Sequence, residues 1–233
     1  MKIIEGKVKN LIIQKTKYEV LKNNGKQATV SSALGAAVGS AALASQAVLL
    51  MNASIDVESL TFTLNGEEFE GIFNEIYLKE GSKVICLVEA NTVLVVIDPQ
   101  LDLIYMPIGT GETINNLKKK YMKYFIFLII FFSILCMFFY FLNRGDFLIL
   151  IFVEFVFILI SIWMCYSIFK SEKNKGILTE KIFEVLKFKN SEDINLDKFT
   201  YKDKDGLIIS WVYHYQNAFR ENNPYPKDYF EEK

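Results

Sequence analysis

The run FIFLIIFFSILCMFFYFL (Phe125–Leu142), the link Asn143-Arg144-Gly145-Asp146 and the run FLILIFVEFVFILISIWMCYSIF (Phe147–Phe169) decide how this chain folds. Each run is close to the ~20 residues a helix needs to cross a hydrocarbon core. So short a polar link can join only antiparallel neighbours, and the runs predict a transmembrane helical hairpin with helices over 124–142 and 147–169.

The flanks orient it. Lys118, Lys119, Lys120 and Lys123 precede the hairpin, and Lys170, Lys173 and Lys175 follow it. Lysine and arginine accumulate on the cytoplasmic side of short flanks, so both outer ends belong in the cytoplasm and the link outside. The expectation is a multi-pass protein of the bacterial inner membrane, N-in and C-in, with Tyr121, Tyr124 and Tyr166 at the interfaces. Glu154 is the one formal charge inside the two runs. An intramembrane carboxyl is expensive, so it should be neutral, paired, or facing water or another helix. It reads either as a pore-lining or proton-linked group, or as a glutamic acid bonded to Ser133 or to another helix of an oligomer.

Outward from the hairpin, residues 1–116 read as a small β domain. Met1–Lys9 and Leu11–Thr16 have strand character. Ser59-Leu-Thr-Phe-Thr-Leu alternates apolar with polar and is followed by Asn65-Gly66, the pair best suited to a type I′ hairpin turn. Lys83–Val88, Thr92–Ile97 and Leu103–Met106 supply further short strands. Five to seven such strands predict an OB-like or SH3-like barrel.

A small-residue stretch, 28–51, interrupts that domain and carries no charge. Gly35 and Gly39 share one i+4 ridge, and Ser32, Ala36 and Ser40 the next, so another helix can approach closely there. The stretch reads as a self-packing or oligomerising helix, as a segment that enters a bilayer, or as a loop. Beyond the hairpin, residues 170–233 form a cytoplasmic C-terminal α/β region. Gly176–Lys189 carries Leu178, Ile182, Val185 and Leu186 at helical spacing, and Gly206–Tyr215 is a strand or short helix. The fold class is therefore an α+β membrane protein.

Function classes can be narrowed. A net charge of -1 argues against a nucleic-acid partner, and the opening Met1–Lys7 lacks the apolar core of a signal peptide. Cys86, Cys136 and Cys165 have no Cys-x-x-Cys spacing and read as buried apolar residues. His214 has no second ligand near it. Asp193-Ile-Asn195-Leu-Asp197 has the start of a calcium loop, but Lys198 stands where the turn needs glycine and Lys204 where the loop needs glutamate. Gly109-Thr-Gly-Glu reads as a turn. No nucleophile, phosphate-binding or dinucleotide motif appears, so no catalytic residue, metal or cofactor is expected, and the chain reads as a non-enzyme.

The order of a Lys2-Ile-Ile-Glu-Gly-Lys-Val8 opening, an Ala/Gly/Ser-rich insertion, a strand pair and a membrane hairpin resembles bacterial type VI secretion system effectors. The resemblance is one of layout over roughly the first 170 residues, and it transfers no functional residue. It implies a contact-delivered toxin acting on or through a membrane, with lipid and further copies of itself as partners, and a secretion apparatus or a cognate immunity protein beside them. A resident inner-membrane adaptor or immunity protein with a cytoplasmic β domain fits the same features, as does an enzyme with an unrecognised site.

Overall fold

The computed structural model describes residues 1–17, 56–143, 147–219 and 223–231. It is a mixed α+β protein with two compact units, Met1–Thr113 together with Asn174–Lys233, and Ile114–Lys173. The small-residue stretch, with Gly35, Gly39, Ser32, Ala36 and Ser40, lies outside the described residues, as does most of the link between the apolar runs.

The first unit is built on one nine-stranded sheet. Its strands are β1 (Lys2–Lys7), β2 (Lys9–Lys17), β3 (Asp56–Leu64), β4 (Glu67–Phe73), β5 (Lys83–Glu89), β6 (Thr92–Asp98), β7 (Leu103–Tyr105), β8 (Thr200–Lys202) and β9 (Ile208–His214). Strand β3 is half-buried in the manner its alternation predicts. Leu60, Phe62 and Leu64 point into the core and Ser59, Thr61 and Thr63 away from it. The turn to β4 falls on Asn65 and Gly66, with φ of 53° and 90°, and pairs Leu64 with Glu67.

Strands β1 and β2 are one bent segment that serves two neighbours. β1 pairs with β5 and β2 with β3, so the circuit β1/β2–β3–β4–β6–β5 returns to its start. The bend is held at buried Val8, whose N–H donates to the Ser82 carbonyl and whose carbonyl accepts from Gly81 N–H, both at 2.9 Å. Just beyond it the Glu80 carboxylate accepts the N–H groups of Asn10 (2.9 Å) and Leu11 (2.8 Å), where Asn10 takes a φ of 53°. That satisfies two backbone donors at the point where the ladder register shifts.

Strands β5 and β6 are apolar on both faces because each face meets a core. Val84, Cys86, Val88 and Val96 join the core inside the circuit with Phe62, Phe69 and Phe73. Ile85, Leu87, Val95 and Ile97 form a second core with Leu178, Ile182, Phe183 and Leu186. Full burial of each such side chain contributes about 1.5–3 kcal/mol before entropy is counted.

Asn174–Lys233 belongs to the same compact unit as Met1–Thr113. β9 pairs with β7 (Leu103↔His214, Tyr105↔Val212) and β8 with β9, so these strands extend the N-terminal domain's own sheet. Gly206–Tyr215 resolves into β9 followed by a short helix, α3 (Tyr215–Phe219), after α1 (Ile114–Asn143) and α2 (Phe147–Val185). The amphipathic helix expected from Gly176 is the final part of α2. The helix continues through Lys170–Lys175 because lysine and glutamate there are good helix formers, and its apolar stripe then finds the second core.

Candidate functional site

The second unit is the helical hairpin, and three cross-helix contacts define its register. Tyr121 meets Phe169 edge-on at 6.2 Å between ring centroids, Phe132 stacks on Phe157 at 4.5 Å and 4°, and the Ser133 hydroxyl donates to Glu154 Oε1 at 2.6 Å. Residue numbers fall on α2 as they rise on α1, as an antiparallel pair requires. Tyr121 also donates its hydroxyl to the Glu172 carboxylate.

Both helices are long and apolar enough to cross a membrane. Their apolar surface faces outward: Phe127 is 65% exposed, Phe152 67% and Trp163 69%. Monomeric soluble proteins rarely expose contiguous apolar surface of that extent. The lysines bound it, with Lys118, Lys119 and Lys123 exposed before it and Lys170 and Lys173 after it.

Glu154 is the polar focus of this unit. It lies about 10 Å along α2 from Phe147 at 1.5 Å per residue. Ser133, named from sequence as one partner for it, is the hydroxyl that reaches it. Cys136 is buried on the same side of α1 as Ser133, one turn on, and Ser161 turns its hydroxyl back to the Phe157 carbonyl (2.8 Å). Among the described residues, Glu154, Ser133, Cys136 and Ser161 are thus polar or sulfur groups set among phenylalanines on the hairpin.

In the sheet unit the other candidates resolve into structural roles. Burial pushes the Cys86 thiol up, which removes its nucleophilic form. His214 Nδ1 stands 3.3 Å from Asp102 Oδ2, while Asp102 Oδ1 accepts the Gln216 N–H at 2.8 Å at the start of α3. Tyr77, Tyr201 and His214 form a row of half-buried rings at 5.0 and 5.4 Å. In the rejected calcium loop, the Asn195 side chain accepts the Asp197 N–H (3.0 Å), and among the described residues no group of three metal-ligating side chains occurs. Gly109 lies in a turn with Ile108, with Thr110 N–H and hydroxyl both on the Pro107 carbonyl, and Glu112 beyond it bridges to Asn195.

That turn has partners for which no local sequence signal exists. Gly111 N–H donates to the Thr179 hydroxyl (3.1 Å), and the Tyr213 hydroxyl donates to the Thr110 carbonyl (3.1 Å). Gly111 has φ +124°, and a Cβ there would stand 2.4 Å from the Tyr213 oxygen. Burial is the main cause that pushes the Tyr213 phenol up, with Asp197 adding to it, so it stays a neutral donor. A cleft of about 430 Å³ is lined by Lys15, Thr16, Asp56, Glu58 and Glu75.

Comparison with family models, with curated proteins and with solved structures finds no match to this chain.

Proposed function

We propose that this protein is a membrane-active bacterial effector of the type VI secretion kind, inserted through its apolar hairpin. The observation that carries the reading is the pairing of β7 with β9. It builds one folded unit from the chain before α1 and the chain after α2, which supports a topology with both outer ends of the hairpin on one side of the bilayer. The lysine flanks assign that side to the cytoplasm, N-in and C-in. The exposed aromatic belt supplies the surface that lipid would cover.

Within this reading, the closed strand circuit supports a small OB-like or SH3-like barrel as the soluble domain. The ridges of Gly35 and Gly39 and of Ser32, Ala36 and Ser40 provide a surface for helix association in lipid. The action is perturbation of a membrane by assembled helices and requires no catalytic residue. A resident inner-membrane adaptor or immunity protein is favoured by one observation, the Ser133–Glu154 bond, which engages the carboxyl within a single hairpin.

Expression in bacteria with and without an export signal, read by a membrane-potential dye, separates the two. An effector depolarises the membrane and arrests growth in at least one arm. Unchanged potential in both arms supports the resident protein.

A further inference from the structure

One ridge of α1 changes character along its length. Lys119, Lys123, Phe127 and Phe131 follow one another at i+4 spacing, so they lie on one line of the helix surface. All four are exposed, Phe127 at 65% and Phe131 at 50%, and the two phenyl rings stack at 6.4 Å and 18°. At 1.5 Å per residue Phe131 stands about 12 Å from Lys123 along the axis. The ridge is a cationic head followed by an apolar track, with exposed Tyr124 at the boundary beside Lys123.

The head lies in a strong excess of positive charge. Tyr121 meets both Phe169 and Glu172, so the segment from Lys118 to Lys123 stands beside the segment from Phe169 to Lys173 of α2. Lys118, Lys119, Lys120, Lys123, Lys170 and Lys173 fall at that level against one carboxylate, Glu172, which accepts the Tyr121 hydroxyl. The sequence of α1 contains no acidic residue. Like charges one turn apart work against a helix, and an anion over Lys119 and Lys123 relieves that repulsion.

We propose that this ridge holds an anionic phospholipid, its headgroup phosphate within reach of the Lys119 and Lys123 ammonium groups and an acyl chain along Phe127 and Phe131. This rests on the membrane reading above. A free phosphate or an acidic peptide would answer the lysines alone. The apolar track that continues the same line selects an anion joined to hydrocarbon. Lysine clusters beside a membrane span attract acidic headgroups, each lysine strengthening the attraction about fivefold.

The test uses full-length protein in phosphatidylcholine vesicles at about 0.1 M salt, and again at about 1 M, where the attraction is screened. Trace spin-labelled phosphatidylglycerol or phosphatidylcholine reports the lipid immobilised on the protein. Wild type should prefer phosphatidylglycerol about fivefold or more at the lower salt. Lys119→Gln with Lys123→Gln should remove that preference. Lys202→Gln with Lys204→Gln takes the same charge from exposed positions of the sheet unit and should keep it. No preference in wild type, or equal losses in the two double variants, would overturn the inference. Inorganic phosphate at millimolar concentration should leave the immobilised fraction unchanged; displacement of the lipid would assign the lysines to a free anion and overturn it too. Alkaline carbonate extraction is run in parallel. Release of wild type from the vesicles would overturn the membrane reading and this inference with it, while retention confines any failure to the lipid site.

Discussion

The Ser133 hydroxyl donates to Glu154 across the hairpin at 2.6 Å, beside the Phe132–Phe157 stack, so the polar link between the helices sits next to an aromatic contact between them. Ser133→Ala removes the donor and strands the carboxyl. The hairpin should lose about 0.5–2 kcal/mol of helix–helix stability, measured by thermal unfolding in detergent. Ser133→Thr keeps the hydroxyl and should recover most of the loss. An alanine variant as stable as wild type would mean that the bond contributes nothing to hairpin closure.

Gly111 and Tyr213 join the turn before α1 to β9. Gly111→Ala places a methyl group 2.4 Å from the Tyr213 hydroxyl at a φ of +124° that side chains rarely adopt. A loss of about 2–4 kcal/mol is expected, seen as a fall in melting temperature of the sheet unit. Tyr213→Phe in the same chain should recover only part of it, because the ring carbons lie at 2.8 and 3.1 Å and the backbone angle is unchanged. Full recovery would place the whole cost in the hydroxyl.

Asp98 ends β6 almost wholly buried, and its Oδ1 accepts the N–H groups of Gln100 (3.0 Å) and Leu101 (3.1 Å). Burial raises its pKa above the usual carboxylate range more than those bonds lower it. The folded state therefore holds the proton more tightly than the unfolded state. Its contribution to stability is full below the unfolded pKa near 4 and declines as pH rises through the raised value. Asp98→Asn keeps the acceptor oxygen and does not titrate. The melting temperature of the asparagine variant minus that of wild type should grow from about pH 4 upward and then level off. A difference independent of pH would refute the assignment.

Glu80 fastens the bend of the first strand segment through two backbone donors. Glu80→Ala should cost about 1–3 kcal/mol, and hydrogen exchange at Asn10 and Leu11 should speed up before the rest of the sheet is affected. Protection at those amides equal to wild type would show that solvent replaces the carboxylate without loss.

Local signals in the sequence were enough for much of this architecture. Asn65-Gly66 marks its hairpin because the turn needs two positive φ angles, and the hairpin helices are written in the length of their apolar runs. Glu154 stood out as a lone charge, and a serine on the facing helix could be named for it. The joining of β9 to β7 had no such signal, since Leu103 and His214 are far apart in sequence and nothing in short strands specifies a distant partner. The Gly111–Tyr213 contact was hidden for the same reason. The lysines of 170–175 looked like a helix end because charge closes a membrane span, yet the same residues sustain a helix in water, and α2 runs on to Val185.

A hairpin that crosses the bilayer leaves both of its outer ends on one side. Single cysteines at Asn116, in the Asn143–Asp146 link and after Lys175, in a chain with its native cysteines replaced, can be labelled in intact cells with a membrane-impermeant maleimide. Labelling of the link alone is expected, with the two flanks reacting only after the cells are opened. Labelling of either flank in intact cells, or of no site together with release of the protein by alkaline carbonate, would contradict it.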